Sequence, residues 1–169
     1  MNYKPENENK RMNPKWLKAY DKCGWGITNF DIEPESREYE ACKFQLNGLQ
    51  IISRTAKITP KKIGQFVTLW KRNEDGIIEP YTENDQFDFV CVNVAFENNS
   101  GQFVFPKSVL LKKGVISSLQ KEGKRALRVY PQWDKPESKQ GKKSQQWQLD
   151  YFYKFRKDID IEKMRALFQ

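Results

Sequence analysis

The segment Phe87 to Phe96, FDFVCVNVAF, constrains the fold more than any other stretch. A strand-length run this rich in Val and Phe on both alternations belongs in the middle of a sheet, not at its edge. Neighbouring segments supply its partners. Cys42, Phe44 and Leu46 alternate with Lys43 and Gln45, and Asn47-Gly48 marks a tight hairpin because both turn positions need positive φ. Residues 49–58 read as the return strand. Residues 65–71 form the next, with Phe66 and Trp70 on one face and Val67 and Leu69 on the other. Residues 98–101 make a second tight turn and 102–105 return from it, while 125–130 read as a last strand.

Helix signals punctuate these strands. Asn13-Pro14 reads as N-cap and first helical position, Trp16, Leu17 and Tyr20 share an apolar face, and Gly24 stops the helix. A further helical turn is expected after Pro34 in the acidic stretch 31–40. Pro106 starts a short helix that ends at Gly114, Ser144 caps a helix running to about Phe155, and Asp160 caps one bearing Ile161, Met164, Leu167 and Phe168. Residues 1–12 read as a loose tail, 24–29 as irregular, and 59–64, 73–86, 119–124 and 131–143 as loops. The expected fold is α+β: one domain over 13–169, with a mostly antiparallel mixed sheet of five to six strands flanked by helices.

Composition narrows the chemistry. The chain has no histidine, which excludes imidazole-based nucleophile activation, HExxH zinc sites and His acid–base catalysis. Its three cysteines, Cys23, Cys42 and Cys91, are widely spaced with no CxxC, which argues for free thiols and against a zinc site. Apolar runs are strand-sized, and residues 1–11 lack the apolar core of a signal peptide. A cytoplasmic protein with no membrane contact is therefore expected, of open oligomeric state and with no resident metal or cofactor.

The net charge of +8 is segregated. Residues 54–72 carry six basic side chains and no acid, and residues 107–128 carry seven against Glu122 alone. Residues 31–40 carry five acids and only Arg37, and 74–88 carry six acids and no base. Either the basic segments pair with the acidic ones inside the fold, or they build a positive face for phosphates. In the second case Arg54 and Lys57 lie near one strand end, Lys61 and Lys62 occupy a loop stiffened by Pro60, and Lys107 stands at a helix start where free N–H groups favour an anion. Lys124 lies in a basic loop. Arg128 and Tyr130 share a strand face, a pairing suited to phosphates and stacked bases, and Trp133 and Trp147 would add stacking surface unless they belong to the core.

In this order, the segments RTAKITPKKIGQFVTLW, GQFVFPKSVLLKKG, GKRALRVYPQW and KSQQWQLDYF resemble the MepB-like family. The likeness runs from about Arg54 to Phe152 and is much weaker outside it. It implies a bacterial cytosolic protein whose relatives are in some cases encoded beside a multidrug efflux pump and its repressor. It also implies that Arg54, Lys57, Lys61, Lys62, Lys107, Lys124, Arg128, Tyr130, Trp133 and Trp147 belong to the family's own motifs.

Three functions follow as expectations. The first is binding of nucleic acid or a nucleotide by a basic, aromatic-lined face, without turnover. The second is Mg²⁺-dependent phosphodiester cleavage of the PD-(D/E)xK type on a restriction-endonuclease-like fold, with Asp88 sharing a face with Val90, Val92 and Val94, Glu40 as second acid and Lys107 as the lysine. Here Gln102 stands where the second acid belongs and Val104 where the lysine belongs, so the site would be degenerate. The third is an adaptor for an acidic protein partner.

Overall fold

The computed structural model describes residues 14–169; the expected tail and the Asn13 cap lie outside them. Helix α1 (Pro14–Lys22) is followed by β1 (Ile27–Ile32), a 3-10 turn over Pro34–Tyr39, β2 (Cys42–Leu46) and β3 (Leu49–Thr55). Then come β4 (Lys57–Thr59), β5 (Lys62–Thr68), the short pair β6 (Lys71–Arg72) and β7 (Ile78–Glu79), β8 (Phe89–Phe96) and β9 (Asn99–Pro106). The chain ends with α2 (Lys107–Lys112), β10 (Ala126–Val129), α3 (Lys139–Gln148), β11 (Phe152–Lys154) and α4 (Ile161–Leu167).

The main sheet has six strands in the order β1-β2-β3-β8-β9-β11. Among the described residues of this sheet, β3 and β8 pair in parallel and the other neighbours are antiparallel. The fold class is thus the expected α+β. β8 is central, and its side chains from Phe89 to Val94 are buried on both faces, which is why the segment tolerates so little polarity. Asn47 and Gly48 take φ of 50° and 79°, the twist a two-residue hairpin requires.

Two cores lie on opposite sides of this sheet. On one side Trp16 and Tyr20 of α1 and Met164 of α4 cover Phe44, Leu46, Ile51, Cys91 and Val104. Asp160 caps α4 by accepting from the Lys163 amide at 3.0 Å. Within this core, the Tyr20 hydroxyl donates to Gln102 Oε1 at 2.8 Å, and Gln102 Nε2 donates to Asn93 Oδ1 at 2.8 Å. That buried chain fixes α1 on the sheet, since leaving any member unpaired costs about 1–3 kcal/mol. Burial also pushes the Cys42 and Cys91 thiols up to about 12, so both remain protonated and inert.

On the other side, Val90, Val92, Val94, Phe103 and Phe105 meet Val67 of β5 and Val129 of β10. These two strands belong to a second sheet, ordered β10-β5-β4, that lies across the first. Truncating a ring such as Phe103, fully buried here, costs about 3–5 kcal/mol.

Several local expectations are corrected. The irregular stretch 24–29 enters β1, whose register shifts between Thr28 and Asp31 around Asn29 at φ 52°. Expected strand 49–58 breaks into β3 and β4, and the 59–64 loop is a hairpin with Lys61 at its tip. α3 begins at Lys139, capped by Ser138, not at Ser144, and β11 occupies what the sequence reads as the helix end. Among the described residues, no helix is long and apolar enough to cross a membrane.

Candidate nucleic-acid interface

The outward face of the small sheet is set by strand alternation. Val67 and Val129 point into the core, so Phe66 and Arg128 lie on the other face of the small sheet, where Phe66 is half-buried against Tyr39. Register then places Lys57, Phe66 and Arg128 in one cross-strand row. The Lys57 ammonium lies 4.9 Å from the Tyr39 ring centroid and 2.9 Å from Glu38 Oε2. Tyr39 meets Phe66 edge-on at 6.3 Å, and the Arg128 guanidinium lies 5.9 Å from the Phe66 ring. Arg128 Nη1 also donates to Thr59 Oγ1 at 3.0 Å and to the Gly64 carbonyl at 3.2 Å, tying β10 across β5 to β4.

Gly64 has φ 87°, and a Cβ there would lie 2.7 Å from the Tyr130 ring. Only glycine lets Tyr130 rest against the β5 backbone. Next to it, Lys61 and Lys62 are exposed and have no ion-pair partner among the described residues.

α3 closes the β10 edge. Gln148 Oε1 accepts from the Tyr130 amide at 2.9 Å, and its Nε2 donates to the Arg128 carbonyl at 3.0 Å. One side-chain amide thereby continues the ladder as a strand would. Gln145 Nε2 donates to the carbonyls of Pro131 and Asp134 at 3.0 and 2.8 Å. This anchoring sets α3, which carries the exposed Lys139, Lys142 and Lys143, next to Tyr130 at Gly141. Sequence reasoning assigned these lysines to a loop. The available signal was Ser138, whose hydroxyl accepts from the Gly141 amide at 3.0 Å. It was masked by Gly141 and by Trp147 being the only apolar residue in KQGKKSQQWQ.

The first basic run is largely neutralised within the fold. Arg54 is 1% exposed, with Nη2 2.5 Å from Glu33 Oε2, and is withdrawn from any surface site. Lys43 and the Tyr81 hydroxyl join Glu33 at 3.1 and 3.3 Å. Lys71 pairs with Asp85 at 2.6 Å and Glu79 at 3.4 Å, and Arg72 with Glu35 at 2.7 Å. In the second run, among the described residues, only Arg125 has an acidic partner, Glu122. Lys124 is exposed and without an ion pair among the described residues. Lys107 is tied down: its amide donates to the Asp88 carbonyl, its ammonium donates to the Asp85 carbonyl, and it lies 5.0 Å from the Phe87 ring centroid. It is therefore no open anion site.

The expected nuclease trio does not assemble. Asp88 precedes β8 and is exposed, not on the face of Val90, and its Oδ2 accepts from the Gln50 amide at 2.8 Å. Glu40 sits at the other end of β3, where the Thr55 hydroxyl donates to its Oε2 at 3.3 Å. Gln50 and Thr55 are five strand positions, or about 17 Å, apart. Desolvation of the Glu40 carboxyl raises its pKa, against the Thr55 hydrogen bond, although the residue as a whole is exposed. Among the described residues no three His, Cys, Asp or Glu side chains are grouped to hold a metal ion.

The tryptophans serve packing first. Trp133 is half-buried, edge-on to Phe152 at 5.7 Å, which removes it as an open stacking platform. Trp147, also half-buried, leans on Phe105 at 5.4 Å, with the Lys113 ammonium 5.5 Å from its ring centroid.

The MepB-like family matches this chain over residues 33–154, well over half of its length. The chain belongs to the MepB-like family. A crystal structure of MepB is 33% identical, covers 87% of this chain and 99% of its own, and superposes with a TM-score of 0.77. A bacterial homing endonuclease, I-Ssp6803I, is 17% identical over 90% of each chain, with a TM-score of 0.45. No curated protein matches. Within the MepB-like match lie the β4–β5 hairpin with Lys61 and Lys62, Tyr130 just past β10, and α3 with Lys139, Lys142 and Lys143.

Proposed function

We propose that this MepB-like protein binds nucleic acid or a nucleotide as a polyanion through the outer face of β10-β5-β4 and the adjoining α3, without turnover. The observation that carries the reading is the uneven use of charge. The acids neutralise Arg54, Lys57, Lys71 and Arg72, while Lys61, Lys62, Lys124, Lys139, Lys142 and Lys143 have no ion-pair partner among the described residues. Solubility alone is served by mixed signs. Unpaired ammonium groups on the β4–β5 hairpin and on α3, which approach Tyr130 at Gly64 and Gly141, suit phosphates and bases, while Lys124 lies at the other end of β10.

Titration of labelled oligonucleotides by fluorescence anisotropy at 50 and 200 mM salt tests this. With roughly five phosphates neutralised, affinity falls a few hundred-fold between the two conditions, and unlabelled nucleotide competes if it shares the site. Absence of binding at 50 mM salt contradicts the reading. Capture of an acidic protein in its place would favour the adaptor function.

A further inference from the structure

α3 has two sides of different use. Gly141, Gln145 and Gln148 face the protein: Gln145 and Gln148 bond to backbone groups, and Gly141 lies against Pro136. Helical spacing puts Lys139 and Lys143 on the opposite side and Trp147 at its flank, one i to i+4 step apart each. The stripe from residue 139 to 147 is therefore about 12 Å long. α3 carries three lysines and no acid, and both stripe lysines are exposed without ion pairs among the described residues. At the far end the Lys113 ammonium is held 5.5 Å from the Trp147 ring centroid, so the residue that follows α2 contributes a third cation to the line. At the near end α3 starts beside Tyr130, since a Cβ on Gly141 would lie 3.4 Å from the Tyr130 hydroxyl.

We infer that Lys139, Lys143 and the Trp147-supported Lys113 form a phosphate track that continues the small-sheet face, and that the partner is a single nucleic-acid strand long enough to engage both. This rests on the polyanion reading above and gives it a direction: the strand runs from the Lys61–Lys62 hairpin tip past Tyr130 and along the outer side of α3. Charge complementarity chooses the occupant. A line of ammonium groups without acids, meeting an Arg–Phe–Tyr face, matches a strand that offers phosphates along its length and bases at one end.

The test compares oligothymidylates of about five and about fifteen nucleotides, within the range single-strand binders cover. The variants are Lys139→Gln/Lys143→Gln and a control of equal charge on α1, Lys18→Gln/Lys22→Gln. Expected is a steeper salt dependence for the longer strand. For that strand only, the α3 double variant lowers the log–log salt slope by about 1.4, while the α1 control leaves it unchanged. If both lengths bind with the same slope, or both double variants behave alike, the α3 track is refuted and the sheet face stands. A duplex of the same length preferred over the single strand refutes the single-strand assignment. If neither length binds, the polyanion reading fails and the track with it.

Discussion

Residues 54–72 and 107–128 look alike in sequence, each a basic run with almost no acid, yet the fold treats them in opposite ways. In the first, Arg54, Lys57, Lys71 and Arg72 find Glu33, Glu38, Asp85 with Glu79, and Glu35, and Lys61 and Lys62 at a hairpin tip have no ion-pair partner among the described residues. In the second, among the described residues, Glu122 takes Arg125 alone. The acid-rich stretches 31–40 and 74–88 are thus partners of the first run, placed there by the 3-10 turn and by the segment around β6 and β7. Local charge density says that a segment is basic; strand order decides whether that charge is spent inside the fold.

The contrast breaks most visibly at Arg54. Arg54→Met removes a buried guanidinium from Glu33 and is expected to cost about 3 kcal/mol, lowering Tm by on the order of 10 °C. An unchanged Tm would mean that the pair does not organise this region. Next is Gly64→Ala, which meets both the positive φ and the Tyr130 ring; a loss of about 2 kcal/mol is expected, with weakened oligonucleotide binding as Tyr130 is displaced. Wild-type binding by this variant would separate Tyr130 from the site.

A smaller effect is expected at the Lys71–Asp85 pair. Burial works to raise the Asp85 carboxyl, but hydrogen bonds from Lys71 and the Thr82 amide and the Lys71 charge bring it below its usual value. Because the folded value is depressed, its stabilisation is present above the unfolded value of 3.8 and is lost as pH falls through the folded one. Denaturant melts across the acid range should show Asp85→Asn less stable by about 1 kcal/mol at neutral pH, with the difference closing in acid. A gap independent of pH would assign the loss to packing. Smallest of all, Lys124→Gln should shift stability by less than about 0.5 kcal/mol, since no ion pair is broken. A larger loss would reveal a partner and bring the two runs closer in kind.

Much of the frame was legible because it is local. The β8 composition, the Asn47-Gly48 turn and the Asp160 cap each carry their signal within a few residues. The misses depend on distant pairing. β11 exists because Phe152 to Lys154 meet Gly101 to Phe103, some fifty residues earlier, and β1 holds its place through a bulge at Asn29. Arg54 looked like a surface cation because nothing nearby announces Glu33 across the sheet. Alternation along β8 would place Asp88 on the apolar face of Val90, but the strand starts one residue later, at Phe89. The α3 lysines were hidden by a weak helix signal, since the helix is held by Trp147 packing on Phe105 and by two glutamine side chains bonded to backbone carbonyls and an amide.

The central claim, that placement and not net charge makes the binding face, is tested most directly by comparing two double variants that each remove two positive charges. Lys61→Gln/Lys62→Gln takes them from the unpaired tip, and Lys71→Gln/Arg72→Gln takes them from ion-paired positions. Salt-dependent anisotropy with a labelled single strand should show the first lowering the log–log slope by about 1.4 and the second leaving it at the wild-type value. Equal slopes for the two variants would show that the protein attracts polyanions through its overall charge alone, and would contradict the account.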